Sequence, residues 1–160
     1  MNIKRHLRKL EPSDSEKLRE VYVDAIQGLG NDVYTQEQLN AWSSLASLPL
    51  LLDKPLLEGC GWVSCVQDEI EAFALRYPSN RLALLYCRSR SYRQGHATAL
   101  LKCIEFDAQQ EKQSLLFTEA SLYSYRLLLN CGWRIITPEQ LKIGGVNFHR
   151  YLMKRDFVDS

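Results

Sequence analysis

The stretch Leu85-Tyr86-Cys87-Arg88-Ser89-Arg90-Ser91-Tyr92-Arg93-Gln94-Gly95-His96-Ala97-Thr98-Ala99-Leu100-Leu101 decides how this chain is read. It opens on the end of a continuous apolar run, Leu82 to Cys87, which predicts a central strand covered on both faces. It closes on Ala97, Leu100, Leu101, Ile104 and Ala108, which share one face of a helix. Arg88, Arg90 and Arg93 lie in the short loop between them. Such a junction is an anion site, because free backbone N–H groups and the positive end of the helix dipole both face the incoming loop. Gly95 and Ala97 let a ligand approach the main chain closely, and the arginines offer forked donors. The same residues also fit a solvated connection in which Gly95 serves geometry alone. Two other phosphate loops are excluded, since neither G-x-x-x-x-G-K-[ST] nor G-x-G-x-x-G occurs.

Upstream, Trp62 to Val66 and Ile70 to Tyr77 flank the polar turn Gln67-Asp68-Glu69 and predict a β-hairpin, with a second turn at Pro78-Ser79-Asn80. Ile3 to Leu10 reads as a first strand. Ser13 and Glu16 form an S-x-x-E capping box ahead of Leu18, Val21, Tyr22, Ala25, Ile26 and Leu29, a helical set stopped by Gly30. Thr35 and Gln38 form another box ahead of Leu39 and Trp42, and the leucine-rich stretch around Pro49 and Pro55 fits a short helix or a loop. Downstream, a strand at Ser114 to Glu119 precedes a helix from Ser121 to Cys131-Gly132 and strands at Trp133 to Ile136 and Asn147 to Lys154. This order predicts an α+β domain with a mostly antiparallel central sheet and helices on both faces.

With 160 residues, 46% of them hydrophobic, and neither linker nor internal repeat, the chain reads as one domain, 1–160. Twenty basic residues against 19 acidic ones remove the broad electrostatic case for nucleic acid or an anionic membrane as partner, so any anion site is local. The five cysteines, Cys60, Cys65, Cys87, Cys103 and Cys131, are odd in number and contain no C-x-x-C pair. That pattern argues against a disulfide framework and for a reducing compartment. His6, His96 and His149 are far apart, and no metal is expected. The N-terminus lacks the apolar core of a signal peptide, and no stretch approaches the ~20 apolar residues of a membrane span. A cytoplasmic protein is expected.

The chain resembles the GNAT acetyltransferase superfamily, whose signature is Q/R-x-x-G-x-G/A between a strand and a helix. Gly95 and Ala97 match its last two positions, while Tyr92 stands at the first, with Arg93 and Gln94 offset by one and two. The preceding strand, Ala99-Leu100-Leu101, Glu119-Ala120-Ser121 and Asn130-Cys131-Gly132-Trp133 occur in family order and spacing. Together with Tyr34-Thr35-Gln36-Glu37-Gln38-Leu39-Asn40-Ala41-Trp42, they look like a small bacterial subgroup and extend the resemblance over nearly the whole chain.

The resemblance implies an N-acetyltransferase that passes the acetyl group of acetyl-coenzyme A (acetyl-CoA) directly to an amine acceptor. It also implies that the backbone of Leu85, Tyr86 and Cys87 bonds the pantetheine arm like an added strand, and that the N–H groups of Arg93, Gln94, Gly95, His96, Ala97 and Thr98 hold the pyrophosphate. Ser121 stands where the family often has a cofactor-touching Asn, and it also fits an N-cap. At the position of the family's usual Tyr acid stands Leu128, so Tyr125, one turn back, is the candidate proton donor. Glu71 and Glu119 are the candidate bases. Tyr22, Tyr34, Trp42 and Tyr151 would supply aromatic surface for the acceptor, and a homodimer is one arrangement that family members adopt. The alternative reading is a non-catalytic acyl-CoA binding module, suggested by Leu128.

Overall fold

A computed structural model of the chain describes residues 4–157, so the predicted start of the first strand at Ile3 lies outside the described residues. Its strands are β1 (His6–Lys9), β2 (Cys60–Val66), β3 (Glu69–Arg76), β4 (Leu82–Cys87), β5 (Leu115–Ala120), β6 (Arg134–Ile143) and β7 (Val146–Asp156). Its helices are α1 (Ser15–Gln27), α2 (Gln36–Ser43), α3 (Pro49–Glu58), α4 (His96–Gln110) and α5 (Tyr125–Asn130). Two antiparallel sheets result, with strand orders β1-β2-β3-β4 and β5-β7-β6.

The β2–β3 hairpin turns where the polar residues predict it. Gln67 and Asp68 take positive φ values of 51° and 67°, the left-handed pair that a two-residue hairpin turn requires. Along β3, successive side chains alternate between two cores. Phe73 and Leu75 pack with Leu18, Tyr22 and Ile26 of α1, Leu39 of α2 and Leu52 of α3. Ala72 and Ala74 face the opposite way, against Leu100, Leu101 and Ile104 of α4. Small alanines on that face let α4 lie close to the sheet.

Several boundaries differ from the sequence expectation. The closure before α1 is made by Glu11 and Asp14, not by Ser13 and Glu16: the Glu11 N–H donates to Asp14 Oδ2 at 2.9 Å. Pro12 starts a 3-10 turn ahead of the helix and moves the cap upstream, and Asp14 also accepts two 2.9 Å bonds from Arg8. The box at Thr35 and Gln38 forms as expected, with both reciprocal bonds in place at 2.9 and 3.1 Å. The stretch around Pro49 and Pro55 is a helix, α3, which buries Leu52 and Leu56. The strand expected to end at Ile136 runs on to Ile143 and returns through Gly144 and Gly145, both at positive φ, into β7. Pro138 and the exposure of most of β6 hid this extension; an edge strand tolerates both.

Leu82 to Cys87 is covered on both faces, since its side chains enter both cores, but β4 is an edge strand of its sheet and not a central one. It meets β5 through a single parallel bridge, Arg81 with Phe117. There the Phe117 N–H donates to Asn80 O at 2.8 Å and Thr118 Oγ1 donates to Leu82 O at 2.7 Å. Beyond Leu82 the two strands pair no further, and a cleft opens between them.

Phe73 is fully buried at the centre of the α1 face. Phe73→Ala should cost about 3–5 kcal/mol of stability, measured by urea denaturation.

Candidate functional site

The cleft has a volume of about 830 Å³. One wall is β4 with the loop that follows it, and the other is the end of β5 with the turn into α5. Both the polar and the apolar features of this space follow from how the local sequence folds.

The loop after β4 makes a 3-10 turn at Ser89–Ser91, passes through Arg93 at φ 60° and enters α4 at Gly95, φ 87°. Positive φ at Gly95 is where a residue without Cβ is favoured, and no side chain caps the first turn of α4. The N–H groups at this helix start therefore face the cleft side without a side-chain partner. Arg93, Gly95, His96, Ala97 and Thr98 line the cleft. Gln94 does not, and its carbonyl accepts a hydrogen bond from the Arg5 guanidinium.

Two of the three loop arginines bond back to β3. Arg88 donates through Nε to Ile70 O at 2.8 Å. Arg90 forks onto Glu71 with bonds of 2.9 and 2.6 Å, and Ser91 Oγ adds a 2.5 Å bond to the same carboxylate. Ser89 N donates to Asp24 Oδ2 at 2.8 Å, and the Tyr92 hydroxyl donates to Ala25 O of α1. The loop is thus tied to β3 and α1, leaving Arg93 as the loop arginine that lines the cleft.

Glu71 is buried and lies away from the cleft lining, with both oxygens engaged. The Arg90 guanidinium, aided by Ser91, holds its carboxyl below its ordinary value near 4.5 against the opposing effect of burial. It stays charged and holds the loop. His96 is buried, with Nδ1 2.7 Å from Ser64 Oγ. Burial, followed by the nearby Arg5 charge, pushes its pKa down, so the imidazole is neutral, and its buried Nε2 has no partner among the described residues.

Leu85, Tyr86 and Cys87 line the cleft along the unpaired edge of β4. Burial pushes the Cys87 thiol up to about 12, which makes it an inert small hydrophobe at neutral pH. Opposite, Glu119 lines the cleft and accepts a 2.8 Å bond from Arg81 Nε. Ser121 also lines the cleft, and its Oγ accepts the N–H groups of Tyr123 and Ser124 at 3.2 and 3.0 Å; it closes the turn ahead of α5 and is not the N-cap, which is Ser124. Leu128 brings only hydrocarbon to the lining. Tyr125 lies outside the lining, its ring 4.9 Å from that of Tyr151 and its hydroxyl accepting a bond from Arg126 Nε.

The far end of the cleft is aromatic. Tyr34 lies 5.4 Å from Trp42 and 6.3 Å from Phe148, and Trp42 lies 6.3 Å from Tyr86, between ring centroids. Of the four aromatics expected there, Tyr22, Tyr34 and Trp42 line the cleft and Tyr151 does not. Leu141, Ile143 and Phe148 of the β6–β7 hairpin were missed; the Gly144-Gly145 pair between alternating residues is the signal that marks them.

Because the Glu71 carboxyl is held low in the folded state, its contribution to stability is complete above the ordinary carboxylate range. It is lost as the pH falls through the lowered value. Glu71→Gln should therefore destabilise most near neutral pH. The gap between variant and parent should narrow below pH ~4 in urea denaturation over a pH series.

No protein-family model and no curated protein matches the chain by sequence. Solved structures do match. A GCN5-related N-acetyltransferase from Rhodopseudomonas palustris superposes with a TM-score of 0.91 at 21% identity, covering 98% of this chain and 99% of that one. The PaiA N-acetyltransferase from Thermoplasma acidophilum, in complex with coenzyme A, has a TM-score of 0.72 at 14% identity, covering 97% and 100%. YncA from Salmonella typhimurium, a putative acetyltransferase with its cofactor acetyl-CoA, has 0.66 at 14%, covering 98% and 96%. This chain, with its two antiparallel sheets, thus has the fold of the solved GCN5-related N-acetyltransferases.

Proposed function

We propose that this protein is an N-acetyltransferase that binds acetyl-CoA between β4 and β5 and passes its acetyl group directly to an amine. The observation that carries this reading is the separation of β4 from β5, which leaves a strand edge leading to the open N-terminus of a helix. An extended amide-containing arm fits the first, and a pyrophosphate fits the second. Solved proteins of the same fold that hold coenzyme A or acetyl-CoA support it.

In this reading the edge of Leu85, Tyr86 and Cys87 pairs with the pantetheine amides. The N–H groups from Arg93 through Thr98 receive the pyrophosphate, with the Arg93 guanidinium beside them, and Ser121 faces the arm from the other wall. Gly95 takes a positive φ, and a Cβ there would stand 3.1 Å from the end of the Arg5 side chain, so a larger residue would crowd this loop. Glu119 is the carboxylate of the cleft lining and the base we favour for the acceptor amine. Glu71 and Tyr125 have their polar groups engaged away from the cleft, which favours holding and packing roles.

The acceptor end favours an amine with an apolar or aromatic substituent over a polycation. Its walls are rings and aliphatic side chains, and the carboxylate of the lining is already paired with Arg81. Leu128 favours a second reading, an acyl-CoA binding module without turnover, and amine turnover separates the two.

Calorimetric titration with acetyl-CoA should give saturable binding that ATP does not reproduce. Gly95→Val should weaken it by about tenfold or more, roughly 1.4 kcal/mol, with the fold retained. Unchanged affinity would remove the loop from the site. With acetyl-CoA present, 2-phenylethylamine should be turned over in preference to spermidine; the reverse order would overturn the acceptor assignment.

A further inference from the structure

Five phenols line the cleft, from Tyr22, Tyr34, Tyr86, Tyr92 and Tyr123. Three have their protons committed to backbone carbonyls: Tyr22 to Trp42 O, Tyr92 to Ala25 O and Tyr123 to Leu29 O. Tyr34 differs. Its side chain is only 3% exposed, and its oxygen accepts the Leu122 N–H at 2.8 Å. Its own proton has no acceptor among the described residues. The neighbouring Ser121 oxygen does not supply one, because the N–H groups of Tyr123 and Ser124 occupy both of its lone pairs. A buried hydroxyl with a spare donor is costly unless something in the cleft receives it.

Tyr34 reaches this place from the segment before α2, with its ring held against Trp42, Tyr123 and Phe148. Its hydroxyl stands at the wall where β5 ends and the turn into α5 begins. Burial raises its pKa, while the Leu122 N–H and the Ser121 hydroxyl oppose the rise by stabilising the anion. Tyr86 also has a spare proton, but it lies among the rings of Tyr22, Phe73 and Trp42. Burial pushes it up to about 12 there, against the opposing hydrogen bonds of Trp42 and Tyr22.

We propose that Tyr34 is the proton donor to the departing thiolate, the task for which α5 presents only Leu128. This rests on the reading of the cleft as an acetyl-CoA site. The amine lone pair forms the C–N bond at the thioester carbonyl. As the tetrahedral intermediate collapses, the C–S bond breaks with its electron pair on sulfur, and the Tyr34 proton passes to that sulfur. The proton released by the amine restores the phenol through solvent, so the products are the amide and the free thiol.

The test needs no acceptor. The thiol of bound coenzyme A is titrated by its ultraviolet thiolate absorbance in the parent protein and in Tyr34→Phe. A phenol that donates to sulfur stabilises the thiolate, so its loss should raise the midpoint by about one to two pH units, the equivalent of a charge-assisted hydrogen bond. The coenzyme A dissociation constant should change by less than about tenfold. Equal midpoints would overturn the proposal, as would a rise with Tyr86→Phe alone. A second measurement avoids substitution. In protein labelled with ¹³C at the tyrosine ring carbon bearing oxygen, the Tyr34 signal should shift with coenzyme A more than with desulfo-coenzyme A; equal shifts would overturn the assignment. Failure of the parent protein to bind coenzyme A would instead remove the acetyl-CoA reading itself.

Discussion

The parting of β4 from β5 is the constraint on which the site depends. The two strands are locked at Asn80 to Leu82 against Phe117 and Thr118, and they then diverge. Divergence leaves a row of main-chain donors and acceptors on β4 without strand partners, and such groups are satisfied by water or by a ligand that imitates a strand. Nothing in the β4 side chains dictates this; both of its faces are packed normally. The cleft exists because the two sheets meet at one end and do not pair beyond it.

The loop that leads from β4 to α4 is held by polar links that reach across elements. Glu71 binds the loop after β4 through Arg90 and Ser91, and α1 binds the same loop through Asp24 and the carbonyl of Ala25. A loop held from two sides keeps the left-handed turn at Arg93 and Gly95 that aims the start of α4 into the cleft. A buried carboxylate with its fork of donors is worth its desolvation where geometry must be exact, since losing one partner strands the other. The aromatic wall works differently. Its rings contribute apolar burial and shape, and three of its hydroxyls are spent on carbonyls that hold neighbouring segments in place.

Much of this was legible in the residue order. Period-two runs around a polar turn marked the β2–β3 hairpin, a reciprocal box marked α2, and the strand, arginine loop and glycine marked the start of α4. The misreadings share one cause: local pattern cannot report what lies across space. Leu82 to Cys87 looks like a central strand because its side chains enter two cores, and an edge beside a cleft has the same composition. The far half of β6 is mostly exposed and carries Pro138, so it shows little of the signal of a paired strand, yet β7 pairs with it throughout.

The sequence by itself determined the kind and order of most elements and the chemistry of the loop after β4, because helix and strand periodicity and left-handed turns are settled largely by neighbours along the chain. Only the tertiary structure decided which side chains face the cleft. It turned Arg88, Arg90 and Glu71 into the scaffold, set Tyr125 against Tyr151, and brought Tyr34 to a backbone N–H 88 residues away in sequence. Charge pairing, burial and the last acceptor for a hydroxyl proton are properties of a place, and that place is assembled from segments that never meet in the sequence.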